Sequence, residues 1–188
     1  MNERNEGSPI TTFEQLELSP PVLRAVAEDG YTTPTPIQAR AVPHVRSGRD
    51  LLGCAQTGTG KTAAFALPLI ERILADRKPL QPRRCRVLVL APTRELASQI
   101  HDSFRAYGRH VRLKSAVIYG GVGQRPQANA MLHGVDVLVA TPGRLLDLVG
   151  QRLVDIRSTE TLVLDEADRM LDMGFIHDMR KIVAMVPV

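Results

Sequence analysis

The stretch DLLGCAQTGTGKTAAFALPLIERILA, residues 50–75, decides the fold, because it combines an apolar strand-like run, a glycine-rich turn and a helix in direct succession. Its first part, 50–55, is a short apolar run of the kind that forms a buried strand. The part 60–75 has the length and the apolar spacing of a helix. Strand, turn and helix in this order make the unit from which parallel α/β sheets are built. We therefore expect a strand that delivers the turn to the N-terminus of a helix.

The turn between them has the residues that a phosphate-binding loop requires. Gly58 and Gly60 let the backbone approach a phosphate closely, and Lys61 neutralises the phosphate charge. The hydroxyl of Thr62 suits Mg²⁺. Ala55 stands where the strict pattern has its first glycine, so the match is to a relaxed form. The candidate nucleotide-binding residues of the loop are Ala55, Gln56, Thr57, Gly58, Thr59, Gly60, Lys61 and Thr62.

The rest of the chain is also built from helix and strand signals. A first helix is predicted from a capping Ser19 to Gly30. A second is predicted over 36–46, with Thr35 as its cap and Gly48 as its stop. After the loop, strands are predicted at 86–91, 114–119, 135–140 and 161–165, and helices at 94–108, 126–133 and 142–150. Continuous apolar strands, each followed by a helix, indicate an α/β fold with a mostly parallel central sheet and helices on both faces. Ligands of such sheets bind beyond the carboxyl ends of the strands.

A second motif, VLDEAD at 163–168, ends the last predicted strand with carboxylates. Asp165 is placed to hold a metal ion, and Glu166 is placed to orient an attacking water. With Asp168, three carboxylates lie within four residues and repel one another unless a cation is near. An exposed acidic helix N-terminus is the alternative, since the helix dipole alone favours one. The candidate catalytic residues are Lys61, Asp165 and Glu166, and the candidate metal ligands are Thr62 and Asp165.

Composition limits the class of protein. At 188 residues, with 44% apolar and 23% charged residues, the chain is long enough for one well-cored globular domain. Its net charge of +4 does not by itself indicate a nucleic-acid partner. Cys54 and Cys85 lie in or beside apolar runs, so both are predicted to be buried reduced thiols. Residues 1–12 are a polar lead-in without a hydrophobic signal core, and no apolar run approaches a membrane span, so we expect a flexible N-terminus and a cytoplasmic location.

In the order of its motifs, the chain resembles the DEAD-box RNA helicases, from Phe13 to about Phe175. The residues that name that family stand at 165–168, GYTTPTPIQ at 30–38 is similar to its Q motif, and APTRELA at 91–97, the glycines at 120 and 121 and TPGR at 141–144 complete the set. GGVGQRPQ and LDMGF look more like the bacterial RhlE-type branch than other branches. The resemblance implies a RecA-like P-loop NTPase domain that uses ATP and Mg²⁺.

The resemblance also assigns adenine recognition to the Q-motif stretch. The amide of Gln38 can pair with the N6 and N7 edge of adenine, which would select ATP over GTP. Tyr31 can stack on the base, and Phe13 is implied as part of the same contact. A rigid local turn followed by a helix cap, fixed by Pro34 and Pro36, is the alternative.

In the family, the TREL, glycine-pair and TPGR stretches hold the sugar-phosphate backbone of single-stranded RNA. Here Arg94 and Arg144 offer phosphate pairing and Gly121 permits close approach, so binding would not depend on base sequence. A salt bridge between Arg94 and Glu95, and a plain helix cap at Thr141, are the alternatives. The implied RNA-binding residues are Pro92, Thr93, Arg94, Gly120, Gly121, Thr141, Pro142, Gly143 and Arg144.

A full member of the family continues with an SAT motif and with a second RecA-like domain that carries arginine fingers, and this chain stops at Val188 before them. The resemblance therefore implies that 13–188 is the first RecA-like domain of an RNA-dependent ATPase, which alone binds adenine nucleotide without unwinding RNA. It further implies a monomer without membrane contact, whose partners are the RNA backbone and the second domain of the same polypeptide. A DNA-directed helicase on the same scaffold and a non-catalytic ATP-gated RNA clamp are the alternatives.

Overall fold

The computed structural model describes residues 10–56 and 58–187, so most of the predicted lead-in, 1–9, lies outside the described residues. Residue contacts group the chain into two compact units. The first unit comprises the described part of Met1–Ala75 together with Ala106–Val111, and the second comprises Asp76–Arg105 with the described part of Arg112–Val188. The domain boundaries expected from the sequence stay a prediction.

The first unit is helical. After a 3₁₀ turn at Glu14–Leu16, it contains α1 (Pro20–Glu28), α2 (Pro36–Arg46) and α3 (Lys61–Ala75). Proline begins α1 and α2, where its fixed φ suits the first turn and its missing N–H leaves no intrahelical bond unmade. Ser19 precedes α1 as predicted but does not cap it with its side chain, because its hydroxyl donates to Glu71 Oε1 at 2.8 Å.

The strand predicted at 50–55 is not formed. This segment runs without secondary structure, with Leu51 46% and Leu52 93% exposed. An apolar run becomes a strand only where a neighbour takes up its backbone hydrogen bonds, and no described residue pairs with this segment in a β ladder. The prediction of a buried thiol at Cys54 is wrong for the same reason, since Cys54 is exposed. Cys85 is buried as predicted, and burial raises the pKa of its thiol to about 12.

The second unit is built on a four-stranded parallel sheet in the order β2-β3-β1-β4. The strands are β1 (Cys85–Leu90), β2 (Ser115–Ile118), β3 (Val135–Ala140) and β4 (Thr161–Leu164). β3 has a partner on each side, and all of its residues are buried, as expected of a central strand covered on both faces. The α/β class and the parallel sheet flanked by helices are therefore confirmed.

Helices follow the strands of the second unit and bury its core. They are α4 (Arg94–Tyr107), α5 (Gln124–Ala130), α6 (Pro142–Gly150), α7 (Ala167–Asp172) and α8 (Ile176–Met185). Side chains of strands and helices meet in one apolar cluster, where Leu90, Ile118, Leu138, Leu145 and Met170 are all inaccessible to solvent. Burial of each such side chain contributes about 1.5–3 kcal/mol. Among the described residues, no helix has the length and apolar character needed to cross a membrane.

Directly before β3, the backbone at Gly134 packs closely against the segment that precedes β1. Gly134 has a left-handed φ of 75°, and a Cβ atom added there would lie 2.0 Å from the carbonyl oxygen of Gln81 and 3.2 Å from that of Arg84. Met131 links the two segments that meet here. Its carbonyl oxygen accepts from the N–H groups of Arg83 at 2.8 Å and Gly134 at 3.0 Å. Only glycine fits this position without displacement of backbone.

We expect Gly134→Ala to lower the free energy of unfolding by about 2 kcal/mol or more, because the added methyl meets a backbone carbonyl at a left-handed position. Gly150→Ala is the matched control, since a Cβ there meets nothing within 4 Å and alanine favours a helix. Urea unfolding followed by circular dichroism measures both variants. Equal unfolding free energies for the two would contradict the packing described at Gly134.

Candidate functional site

The four parallel strands end at the same level of the sheet. Leu90 is in register with Ala140 and with Leu164, and Ile118 is in register with Ala140. The loops that follow these residues therefore emerge side by side at one edge. Those loops contain the predicted stretches APTRELA, the glycine pair, TPGR and DEAD. The structure thus brings together the candidate RNA-binding residues and the acidic motif at the carboxyl ends of the strands, as expected.

Arg94 and Gly121 come from different loops and meet at this edge. Gly121 has a left-handed φ of 79°, and a Cβ added there would lie 3.3 Å from Arg94 Nη1. Arg94 Nε donates to Glu95 Oε1 at 2.8 Å, so the salt bridge considered as an alternative is formed. Hydrogen bonding within this pair raises the pKa of Arg94 and lowers that of Glu95. Both side chains are more than half exposed, and such pairs contribute little, so a phosphate can replace Glu95 at low cost.

Arg144 contacts the same glycine loop through its backbone. Its Nη1 donates to the carbonyl oxygen of Val122 at 3.1 Å, and its Nε lies 3.5 Å from Asp147 Oδ2. The Arg144 side chain is only 16% exposed, in contrast to Arg94. Two guanidinium groups therefore lie close to a loop whose Gly121 and Val122 are exposed. This arrangement can accept a phosphodiester backbone through charge and close approach without contact to bases.

Gln127 supports the site, and no sequence motif indicates its role. It is buried on α5, where its Oε1 accepts from the N–H of Tyr119 at 3.0 Å. Its Nε2 donates to the carbonyl oxygens of Tyr119 at 3.1 Å and Gly123 at 3.3 Å. One side chain thereby satisfies both ends of the loop that carries the glycine pair. A glutamine in a polar helix gives no sequence signal for such burial.

The two threonines of the candidate interface differ in their roles. Thr93 caps α4 with its side chain, since its Oγ1 accepts from the N–H of Leu96 at 3.2 Å. Thr141 occupies the N-cap position of α6 but makes no capping bond with its side chain. Its hydroxyl is therefore not used as the plain cap considered above. Pro92 and Pro142 are buried and shape their loops, whereas Gly143 is exposed in the first turn of α6.

The acidic motif forms a tight turn between β4 and α7. The N–H of Asp165 donates to the carbonyl oxygen of Leu90 at 3.0 Å, and Asp165 Oδ1 accepts from the N–H of Glu166 at 3.1 Å. Glu166 has a left-handed φ of 50°, which is uncommon for a residue with a side chain. Its Oε2 accepts from Arg169 Nη1 at 3.0 Å, and its side chain is 16% exposed. The candidate water-orienting carboxylate is thus held by an intramolecular ion pair.

The phosphate-binding loop lies in the first unit. Gly58 and Gly60 have left-handed φ values of 85° and 87°, and α3 begins directly after them at Lys61. Thr59 Oγ1 donates to the carbonyl oxygen of Gln56 at 2.7 Å, while Thr57 lies outside the described residues. Left-handed glycines before a helix N-terminus direct backbone N–H groups to one point, which fits a phosphate group. The described part of this segment, 58–62, thus has left-handed glycines directly before α3, although the strand predicted before it is not formed.

Gln38 joins this loop to α2. Its Oε1 accepts from the N–H of Thr35 at 3.0 Å, and its Nε2 donates to the carbonyl oxygen of Gly60 at 3.2 Å. Glycine is favoured at position 60, because its φ of 87° is left-handed and because a Cβ atom there would lie 2.3 Å from this Nε2. Gln38 is fully buried and makes the local cap contact considered as an alternative. Its pairing with adenine stays a prediction, and that pairing requires the amide to become accessible.

Two further residues of the implied adenine contact are aromatic neighbours. Phe13 is buried and Tyr31 is 37% exposed, with ring centroids 6.2 Å apart at an interplanar angle of 75°. The ring of Tyr107 is a second neighbour of the Tyr31 ring, with centroids 6.2 Å apart at an interplanar angle of 69°. Tyr31 is thus the member of this trio that can offer a ring face to a ligand.

Comparison with known proteins gives a consistent result. The family described as DEAD/DEAH box helicase matches residues 35–188. The chain is 46% identical over 178 residues to the ATP-dependent RNA helicase vasa of Drosophila melanogaster, covering 95% of this chain and 27% of vasa. It is 48% identical over 174 residues to the ATP-dependent RNA helicase SrmB of Escherichia coli, covering 92% of this chain and 39% of SrmB.

A third relative, the ATP-dependent RNA helicase DeaD of Escherichia coli, is 47% identical over 178 residues, covering 94% of this chain and 28% of DeaD. The chain therefore spans between about a quarter and two fifths of the length of these relatives. The three identities lie within two percentage points of one another, and the RhlE-type branch stays a prediction.

We expect Gln127→Leu to accelerate hydrogen exchange at the amide of Tyr119, because the acceptor of that N–H is removed. Gln124→Leu is the matched control on the same helix, since the Gln124 side chain is exposed and bonds to Gln151 instead. Exchange measured by mass spectrometry on the peptide that contains Tyr119 compares the variants. Unchanged protection in Gln127→Leu would show that this side chain does not hold the glycine loop.

Proposed function

Because this chain belongs to the DEAD/DEAH box helicase family and has its RecA-like α/β arrangement, we propose that it is the ATP-binding N-terminal domain of an ATP-dependent RNA helicase. Such an enzyme couples ATP binding and hydrolysis to the unwinding or remodelling of RNA duplexes. The observation that carries the proposal is the meeting of Arg94, Gly121 and Arg144 at the edge where four strands end in register. The relatives named above are ATP-dependent RNA helicases by name, which supports the same function.

In the proposed nucleotide site, the backbone of the loop at 55–62 surrounds the phosphates and Lys61 neutralises their charge. The left-handed glycines and the helix that starts at Lys61 support this assignment. Tyr31 stacks on adenine with its exposed face, and Gln38 recognises the adenine edge after its amide becomes accessible. ATP is therefore the proposed nucleotide.

Asp165 and Thr62 are the proposed ligands of Mg²⁺, which supplies charge neutralisation at the transferred phosphoryl group when bound. Carboxylate and hydroxyl oxygens are donors that Mg²⁺ accepts, and Asp165 leaves β4 in a turn fixed by backbone hydrogen bonds. Glu166 is proposed to orient the attacking water. For that role its carboxylate exchanges Arg169 for a water molecule.

The proposed RNA interface uses the loops after β1, β2 and β3. Arg94 exchanges Glu95 for a phosphate, and the exposed Gly121 and the partly buried Thr141 allow the sugar-phosphate backbone to approach. Arg144 stays bound to the carbonyl oxygen of Val122 and adds positive charge next to the loop. Contacts of this kind hold RNA without reading its sequence. A cytoplasmic location and a monomeric state are also part of the proposal.

One observation favours a second candidate, an ATP-gated RNA clamp without repeated turnover. The carboxylate proposed to orient water, that of Glu166, is ion-paired to Arg169 and only 16% exposed. If that pair persisted with nucleotide bound, the protein would hold RNA and not hydrolyse ATP. RNA-stimulated ATP hydrolysis by a protein that includes the second RecA-like domain distinguishes the helicase from the clamp.

We expect Lys61→Ala to weaken ATP binding by about tenfold or more, because a charge-assisted contact to phosphate is lost. Lys181→Ala removes an equal charge from the exposed surface of α8 and serves as the control. Isothermal titration calorimetry with ATP compares the two variants. The same affinity in both variants would exclude Lys61 from the phosphate contact.

We expect Arg94→Ala to weaken RNA binding by about two- to tenfold, equally for oligo(A) and oligo(U), and to lower the salt dependence by about 0.7 in the log-log slope. Arg105→Ala, on the same helix and 69% exposed, is the control. Fluorescence anisotropy with labelled oligonucleotides, recorded at several salt concentrations, measures both effects. A loss confined to one base sequence would instead indicate direct reading of bases.

We expect the 188-residue chain to bind ATP, ADP and AMP but to show no RNA-stimulated phosphate release. In phosphoryl transfer an arginine that stabilises the transition state contributes about a thousandfold or more, and the resemblance assigns that arginine to another domain. Phosphate release measured with and without single-stranded RNA tests this. Robust RNA-stimulated turnover by this chain would refute the division of labour proposed between the two domains.

A further inference from the structure

Tyr107 fixes the orientation of Tyr31. Its hydroxyl lies 3.2 Å from the Tyr31 hydroxyl, within hydrogen-bond distance, and its ring meets the Tyr31 ring edge to face. The ring of Phe13 makes the same kind of edge contact with the Tyr31 ring. Tyr107 and Phe13 are each 4% exposed, so both are fixed by their surroundings, whereas Tyr31 is 37% exposed. Edge contacts of this geometry are favourable between aromatic rings and define the plane of the exposed one.

The segment that carries Tyr107 is anchored beside the backbone of Tyr31. Residues 106–111 belong to the first unit by their contacts, whereas the part of α4 before them, 94–105, belongs to the second. Arg109 pairs with Asp29, and its Nη1 lies 3.6 Å from Glu28 Oε2. His110 Nε2 lies 2.7 Å from the same Glu28 oxygen. These contacts hold the residues directly before Tyr31.

The backbone before Tyr31 is fixed by the end of α1. Gly30 has a left-handed φ of 81°, and the N–H groups of Gly30 and Tyr31 donate to the carbonyl oxygens of Ala27 at 3.0 Å and Val26 at 3.2 Å. The side chain of Tyr31 is 37% exposed, and a side chain with that much exposure can take several rotamers. The hydroxyl pair and the two edge contacts restrict that side-chain freedom. The ring of Tyr31 is thereby held in one orientation before a ligand arrives.

We propose that Tyr107 is a positioning residue for adenine, which acts through Tyr31 by holding its ring in the stacking orientation. This inference rests on the proposed role of Tyr31 in the ATP site. Tyr107 itself is buried and does not touch the base. Its contribution is preorganisation, which raises affinity by removing the cost of ordering a side chain on binding.

The test separates the base contact from the phosphate contact by using two probes, ATP and inorganic triphosphate. Tyr107→Phe removes only the hydroxyl, and we expect it to weaken ATP binding about three- to tenfold while the affinity for triphosphate is unchanged. Tyr31→Phe should have an equal effect, and the double variant should be no weaker than either single one, because the two hydroxyls act as one pair. Tyr119→Phe, in the other unit, is the matched control.

Unchanged ATP affinity in Tyr107→Phe, or equal losses for ATP and triphosphate, would overturn the positioning role. Tyr31→Ala tests the underlying site independently. If Tyr31→Ala weakens ATP binding and Tyr107→Phe does not, the proposed site stands and the role of Tyr107 fails. If Tyr31→Ala leaves ATP affinity unchanged, the adenine contact at Tyr31 fails, and the role of Tyr107 fails with it.

Discussion

The parallel hydrogen-bond ladder of the second unit determines where the candidate RNA contacts and the acidic motif lie. Ala140, Leu90 and Leu164 occupy one register level, and Ile118 joins them through Ala140. The chain must leave every strand at that level, so four loops are presented at one edge. A slip of one residue in β3 would exchange the side chains that its two faces present to their neighbours, and because both sets are buried, the repacking would be costly. Core packing therefore fixes the position of polar groups that take no part in the core.

Polar groups proposed to contact ligands have partners within the protein. Arg94 pairs with Glu95, Glu166 pairs with Arg169, and the Gln38 amide bonds to Gly60. Ligand binding at each position is therefore an exchange of partners. For the exposed Arg94 the exchange costs little, since surface ion pairs contribute about 0–1 kcal/mol. For the buried Gln38 it requires local rearrangement, so adenine recognition is the most demanding of the proposed contacts.

Local sequence patterns predict an element correctly where the neighbours that it needs are present in the fold. The bounds of β3, α2 and α6 agree with the prediction, because each combines a clear apolar pattern with a proline, glycine or polar boundary. The strand at 50–55 has an equally apolar pattern but lacks a pairing partner among the described strands, and periodicity carries no information about partners.

In the candidate site, too, some residues can be predicted from the sequence and others cannot. Motif residues such as Arg94, Gly121 and Arg144 were predicted because their order in the sequence resembles a family, and the structure brings them together. Gln127 and Tyr107 were missed, since each acts through contacts that depend on the fold and not on a local pattern. Supporting residues of this type become visible only when burial and hydrogen-bond partners are known.

A nucleotide panel tests the proposal that this chain is an adenine-nucleotide-binding module. Calorimetric titration of the 188-residue chain with ATP, ADP, GTP and GDP in the presence of Mg²⁺ compares the bases at equal phosphate content. We expect ATP and ADP to bind and the matching guanine nucleotides to bind at least about tenfold more weakly, because a site that bonds to the adenine edge rejects a different edge. Equal affinity for adenine and guanine nucleotides would contradict it.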